Sequence, residues 1–298
     1  MATTTQLALP ARTASPLALW HLLSLDAPTV AALWTWFIAR SGHITLPRAS
    51  PIAMALAVWI LYAADRLLDA AHPNTAADLE ARHIFHHRHR RGFLAGIAIA
   101  ATTLAILLHL LDPAAIRLYL IEGALLVAWF LVLHTTPSGH RLPAHRLPAQ
   151  HLPAQHLPKE IVVGLFFSAA VFIPTIAREP GLRPTLLPAA ILFAALCSLN
   201  CLFIYAWEHE GLDASLAHAT TRLALARLPA LAVAEVIATT ALALFKPGAA
   251  KPVLAACALA AALLLILHRN RRRLSRNHLR AAADLALLTP LLALPFLR

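Results

Sequence analysis

The chain of 298 residues is 59% hydrophobic and only 13% charged, and its mean hydropathy of +0.68 is well above that of soluble domains. This balance excludes an ordinary water-soluble enzyme and predicts an integral membrane protein. The formal net charge of +11 would suit nucleic-acid binding, but the basic residues cluster in alternate loops, which is the pattern of membrane topology. We therefore expect contact with membrane lipid and no nucleic-acid partner.

Apolar runs divide the chain into about nine predicted transmembrane helices, because crossing a hydrocarbon core of about 30 Å takes roughly 17–25 residues. The predicted spans lie near residues 18–39, 49–69, 92–111, 115–134, 160–177, 185–208, 228–245, 250–268 and 279–296. We expect a single all-α transmembrane domain over residues 1–298. The first run is expected to remain in the protein, since the segment before it lacks the basic start and the cleavage site of a signal peptide.

Most of the Lys and Arg residues lie in four loops, which follow the second, fourth, sixth and eighth predicted spans. Loops rich in Lys and Arg stay on the cytoplasmic side of a membrane, so these four loops are predicted to be cytoplasmic. The same rule places the N-terminus in the cytoplasm and, after nine crossings, the C-terminus outside. The expected location is a bacterial inner membrane.

A Pro- and His-rich loop is predicted over residues 138–159, where "HRLPAHRLPAQHLPAQHLPK" repeats a five-residue unit four times. Proline at this density blocks a regular helix and favours an extended path. The histidines could be a metal-binding tract, but a flexible chain presents no fixed coordination geometry. We interpret the segment as a tolerated loop expansion.

The stretch "WILYAADRLLDA", residues 59–70, ends an apolar helix with Asp65 and Asp69, and Arg66 lies between them. Residues four apart share a helix face with their Cβ atoms about 5–6 Å apart. Two carboxylates so placed repel each other unless a positive charge lies between them. They can bind a divalent cation, or the interface can simply hydrate them.

A second acidic helix end favours binding of a divalent cation over simple hydration of the carboxylates. In "LCSLNCLFIYAWEHEGLD", residues 196–213, Asn200 and Glu208 share a face, and Asp213 follows as the helix leaves the membrane. Arg82 begins a basic loop on the same predicted side. Carboxylates that bind Mg²⁺ beside guanidinium groups suit a diphosphate, because Mg²⁺ binds carboxylate and phosphate oxygens and arginine binds phosphate bidentately.

This layout resembles the UbiA superfamily of intramembrane prenyltransferases over most of the chain. The family's first motif, N-D-x-x-D-x-x-x-D, is similar to "LYAADRLLD", which keeps its last two aspartates but has Leu61 and Tyr62 in place of the leading Asn and Asp. The second motif, D-x-x-x-D, corresponds to "YAWEHEGLD", in which Glu208 and Asp213 are one residue too far apart. "LPKEIVVGLFF" resembles the start of the family's fifth span.

The resemblance implies transfer of a prenyl group from a polyprenyl diphosphate to a small, unidentified acceptor, with Mg²⁺ as cofactor. It implies Asp65, Asp69, Glu208 and Asp213 as metal ligands, the first three of them catalytic. Residues implied in substrate binding are Arg66, Arg82, Lys159, Asn200 and Tyr205. The motif departures remove ligands for one metal ion, so the alternatives are a non-catalytic protein that binds lipid diphosphates and a transporter.

Further polar residues lie at predicted membrane depth, where acids are costly and are functional candidates by default. Asp26 and Asp284 fall in the cytoplasmic halves of the first and ninth predicted spans, so each can either reach the proposed cavity or form an interhelical hydrogen bond. The other two acids are Glu122 and Glu235. The histidines of residues 83–89 are interleaved with arginine, which favours a loop that faces phosphate or lipid headgroups over a metal site.

Overall fold

The structure, a computed structural model, describes residues 16–71, 81–135, 159–210 and 219–293. Within these ranges the chain forms α-helices, two short 3₁₀ turns and loops, and it contains no strand. The α-helices are α1 (Pro16–Leu22), α2 (Asp26–Ser41), α3 (Ala49–Ala71), α4 (Ala81–Arg88), α5 (Arg90–Leu108), α6 (Pro113–Thr135), α7 (Lys159–Arg178), α8 (Arg183–Glu208), α9 (Ala219–Ala226), α10 (Leu228–Phe245), α11 (Ala250–Asn270), α12 (Arg276–Ala286) and α13 (Pro290–Ala293).

Six segments of the described chain are long and apolar enough to cross a membrane, which is consistent with the predicted integral membrane protein. They are Ala49–Leu68, Arg90–Leu108, Glu160–Arg178, Pro180–Glu208, Leu228–Phe245 and Ala250–Arg273. The predicted count of nine is not confirmed. The predicted fourth span forms α6 but is not among the six, and the first and last predicted spans are each broken into two helices.

Both breaks leave backbone carbonyls without helical partners, and an indole N–H binds one carbonyl at each break. At the break between α1 and α2, where Ser24 has a φ of 58°, Trp59 Nε1 donates to the carbonyl of Leu23 at 3.0 Å. At the break between α12 and α13, Trp34 Nε1 donates to the carbonyl of Leu287 at 2.8 Å. Unpaired carbonyls are costly away from water, so these bonds stabilise the broken helices.

The core lies between α2, α7, α8 and α11, which contact one another in a ring, and α12 packs against three of these helices as well as α1. Trp34 of α2 is fully buried, and its ring centroid lies 4.3 Å from that of Phe193 on α8. Aromatic pairs at such distances add to the free energy gained by burying their area. The ring of helices fixes the position of the α8 face that carries Asn200.

Helices α7 and α8 approach each other closely because Gly164 has no side chain. A Cβ atom at Gly164 would overlap Ser198 Oγ and the carbonyl oxygen of Ala194 on α8. Small residues allow such close approach between helices in membranes. By contrast, α5 packs on α3 and α6 packs on α7 at the outside of the bundle, where their large apolar side chains are exposed, as expected of surfaces that face lipid.

Candidate functional site

A buried polar cluster lies where the break between α1 and α2 meets the bundle. His21 Nδ1 lies 2.6 Å from Asp26 Oδ2, and the backbone N–H of Ala27 donates to Asp26 Oδ1 at 3.0 Å. His21 and Asp26 are 5% and 1% exposed. Because Asp26 is the first residue of α2, its carboxylate also faces the partial positive charge of a helix N-terminus.

Arg66 of α3 supplies positive charge to this cluster. Its Nη1 donates to the carbonyl of His21 at 3.0 Å and to Ser24 Oγ at 2.9 Å. Its Nη2 lies 3.6 Å from Asp26 Oδ2, which is an ion pair but not a direct hydrogen bond. These contacts hold the guanidinium inside the bundle, where Arg66 is 6% exposed.

Asp284 of α12 brings a second carboxylate to the cluster. One ligand atom from each of His21, Asp26 and Asp284 lies within 4.8 Å of the others. Asn200 Nδ2 of α8 donates to Asp284 Oδ1 at 3.2 Å. Asn200 is 6% exposed, and its Oδ1 has no hydrogen-bond partner, so one strong acceptor in the site is unsatisfied.

Asn200 and Asp284 line a cavity with a free volume of about 30 Å³, together with Tyr62 of α3. The remaining wall is largely apolar and includes Val163 and Phe167 of α7. A volume of this size accommodates a water molecule or an ion, but not an isoprenoid chain.

A wider apolar groove opens on the side of the bundle between α2, α3 and α5. It has a free volume of about 340 Å³ and is lined by Leu25, Trp59 and Ile99 among other residues. Leu25 directly precedes Asp26 in the chain, so one end of the groove lies beside the polar cluster. Volumes above roughly 300 Å³ are typical of sites for small organic ligands.

The charges of the cluster do not balance with the side chains alone. Arg66 offers one positive charge to two carboxylates, Asp26 and Asp284. Two carboxylates at this separation repel each other strongly in a buried setting. The remaining negative charge must be neutralised by a proton or by a cation.

The structure separates the sequence-predicted residues into different surroundings. Asp65 is exposed on α3, whereas the next residue, Arg66, faces the bundle interior. Glu208 pairs with Arg280 of α12. The ring of Tyr205 stacks on that of His209 with their centroids 4.0 Å apart, and Asn200 lines the small cavity.

Four predicted residues lie outside what the structure describes. Asp213 is in the undescribed segment 211–218. Asp69, Arg82 and Lys159 belong to helices α3, α4 and α7, but their side chains are not among those described. The roles predicted for these four residues remain predictions.

Two of the predicted Mg²⁺ ligands, Asp65 and Glu208, have side chains that the structure describes. Among the described side chains, the group of three possible metal ligands is His21, Asp26 and Asp284, and it includes neither Asp65 nor Glu208. The carboxylate of Glu208 is engaged by a guanidinium. The prediction that Asp65 and Glu208 bind Mg²⁺ stays a prediction.

Comparisons with known proteins identify no relative. No protein-family model matches the chain, and neither the curated proteins nor the solved structures contain a match. The interpretation of the site consequently depends on its own geometry.

Three residues of the cluster stand out in the sequence, although they belong to neither of the two acidic motifs. The run "HLLSLDAP", residues 21–28, places His21, Ser24 and Asp26 inside an otherwise apolar segment. Polar residues in such segments mark functional sites, and Pro28 shortly after an Asp is typical of a helix start. Asp26 and Asp284 were predicted to reach the proposed cavity or to form an interhelical hydrogen bond, and Asp284 forms such a bond with Asn200.

Proposed function

We propose that the protein is a UbiA-like intramembrane prenyltransferase, which transfers a prenyl group from a polyprenyl diphosphate to a small acceptor. The observation that supports this proposal is the shared cavity of α3 and α8. These helices carry the two sequence motifs, and Tyr62 of the first motif lines the same cavity as Asn200 of α8. The resemblance to the family implies that the helices with the two motifs lie side by side around one site.

In the proposed reaction the C1–O bond of the prenyl diphosphate breaks, and diphosphate leaves with the electron pair. The acceptor then forms a bond to C1 and loses a proton. An allylic cation needs surroundings from which water is excluded, and the apolar residues that line the lateral groove, such as Trp59, are proposed to provide them. Asn200 and Asp284 are the polar groups that would orient the acceptor.

The lateral groove supports a lipid substrate. Its apolar lining between α2, α3 and α5 suits an isoprenoid chain, and its position beside the polar cluster brings the head of such a chain toward charged groups. Arg82, the second residue of α4, is proposed to bind the diphosphate, because guanidinium groups bind phosphate oxygens bidentately.

The test is binding of radiolabelled geranylgeranyl diphosphate to the purified protein in lipid nanodiscs, with and without Mg²⁺. We expect saturable binding that weakens at least about tenfold in Trp59→Ala, since the indole forms part of the groove. Glu179→Gln is the matched control, because Glu179 is exposed between α7 and α8, at the end of α8 opposite to Glu208. Absence of saturable binding, or equal binding by both variants, contradicts the proposal.

The same binding experiment also tests the predicted Mg²⁺ ligands. The double variant Asp65→Asn and Asp69→Asn tests whether the incomplete motif still binds metal and substrate. Loss of Mg²⁺-dependent binding in this variant supports the sequence-based prediction. Unchanged binding shows that these two aspartates have no part in the site.

A proton-coupled transporter is the second candidate, and the broken helices favour it. Transporters often form their sites from discontinuous helices, and two breaks, after α1 and after α12, adjoin the cluster of His21, Asp26 and Asp284. Chains of Asp and His inside a membrane are typical of proton relays. Uptake of a solute into proteoliposomes that stops when the pH gradient is collapsed would support this candidate over the enzyme.

A further inference from the structure

We propose that His21, Asp26, Asp284 and Asn200 form a binding site for one divalent first-row transition metal ion. The ion replaces the proton between His21 and Asp26 and is held by one imidazole nitrogen and carboxylate oxygens. Its ligands come from α1, α2, α8 and α12. It differs from the Mg²⁺ site that the sequence predicted in both residues and position.

The ligand geometry is the first support. Three ligand atoms, one each from His21, Asp26 and Asp284, already lie within 4.8 Å of one another. Metal–ligand bonds of about 2.0–2.2 Å place ligand atoms roughly 3–4 Å apart around an ion. Small side-chain movements therefore suffice to coordinate it.

Asn200 is the second and independent support. Its side chain is more than nine-tenths buried, it contacts Asp284 through Nδ2, and its Oδ1 has no partner. A buried amide oxygen without a donor costs about 1–3 kcal/mol. An ion in the adjoining cavity, or a water molecule bound to that ion, would satisfy this oxygen.

Arg66 does not block the site. Its hydrogen bonds go to the carbonyl of His21 and to Ser24 Oγ, so these acceptors hold the guanidinium 3.6 Å from Asp26 Oδ2. Ser24 Oγ also lies 3.1 Å from His86 Nε2, which fixes the hydroxyl. Asp26 thus remains able to use Oδ2 as a ligand.

The ligand types decide the kind of ion. Mg²⁺ prefers oxygen ligands and keeps several waters, whereas an imidazole nitrogen with carboxylates suits Mn²⁺, Fe²⁺ or Zn²⁺. With a divalent ion, one guanidinium and two carboxylates, the cluster carries a net charge of about +1 by simple addition. That charge would attract an anion such as a diphosphate. This consequence rests on the proposed function, whereas the metal site itself does not rest on it.

In the experiment, the purified full-length protein in nanodiscs is titrated with Mn²⁺. Electron paramagnetic resonance measures the concentration of free Mn²⁺ at each step. We expect about one bound Mn²⁺ per chain in the presence of millimolar Mg²⁺. Asp284→Asn and His21→Gln should each weaken binding by more than about tenfold, as expected when a ligand is lost. Glu235→Gln, a buried carboxylate of α10 outside the cluster, is the matched control and should bind normally.

Two ligand variants keep the test decisive if one of them fails to fold, and circular dichroism with size-exclusion chromatography checks each protein. No Mn²⁺ binding by the folded wild type, or equal binding by a folded ligand variant, overturns the site. Displacement of Mn²⁺ by equimolar Mg²⁺ overturns the assignment to a transition metal ion. Mn²⁺ binding without geranylgeranyl diphosphate binding supports the metal site and contradicts only the proposed function.

Discussion

Arg66 shows how the direction of one side chain changes the interpretation of a motif. The sequence places it between two aspartates, which suggests a diphosphate ligand at a helix end. In the structure Arg66 is buried and pairs with Asp26, while its neighbour Asp65 is exposed. Helix periodicity alone does not predict which of two adjacent polar residues faces the bundle when the surrounding residues are all apolar.

The buried ion pair gives a stability prediction at this scale. Arg66→Met should lower the free energy of unfolding by about 3–5 kcal/mol, because it leaves the carboxylate of Asp26 buried without its cation. Thermal unfolding in detergent measures the effect. Arg40→Met is the control, since Arg40 lies exposed in the last turn of α2. Equal melting temperatures for the two variants would show that the pair does not stabilise the fold.

At the scale of the helix, long apolar runs were predictable and breaks within them were not. The six apolar segments agree with predicted spans to within a few residues at most ends. The breaks at residues 23–25 and 287–289 lie inside apolar runs of normal length. Their positions depend on indole donors from distant helices, Trp59 and Trp34, which no local pattern reveals.

The bond between Trp34 and Leu287 can be tested directly. Trp34→Phe keeps an aromatic ring but removes the donor, so the buried carbonyl loses its partner at a cost of about 1–3 kcal/mol. Trp36→Phe, at 36% exposure on the same helix, should change stability much less. Chemical unfolding in mixed micelles compares the two variants. A Trp34→Phe protein as stable as the wild type would argue against the role of this bond.

The contact between α7 and α8 predicts opposite effects for two glycines. Gly164→Ala should destabilise the protein by about 1–3 kcal/mol, because its Cβ would overlap atoms of α8. Gly123→Ala, in α6, meets no atom within 4 Å and should be neutral or should stabilise by up to about 1 kcal/mol through helix propensity. Melting temperatures of both variants check the signs. The same sign for both would contradict the close packing.

For the whole molecule, composition predicted a helical membrane protein, and the six apolar helices are consistent with that class. Composition did not predict which helices lie at the centre. The ring of α2, α7, α8 and α11 depends on contacts between distant parts of the chain. The polar cluster depends on the same contacts, because His21, Asp284 and Asn200 come from three separate regions of the sequence.

The orientation of the bundle is a prediction of the positive-inside rule that cysteine labelling can check. In a variant with Cys197, Cys201 and Cys257 replaced by alanine, Glu210→Cys should be protected from a membrane-impermeant thiol reagent in intact cells. Glu179→Cys, at the other end of α8, should be labelled. The reverse pattern would show that the loops rich in Lys and Arg are outside.

The most direct test of the central claim is release of inorganic diphosphate from geranylgeranyl diphosphate by the protein in nanodiscs that contain a native membrane extract as the source of acceptor. We expect release above the rate of empty nanodiscs, together with a prenylated product detected by mass spectrometry, and loss of both in Asn200→Ala and Asp284→Asn. Glu179→Gln should retain the wild-type rate. Tight binding of the substrate with neither diphosphate release nor a prenylated product would contradict the enzyme and leave a lipid-diphosphate binding protein.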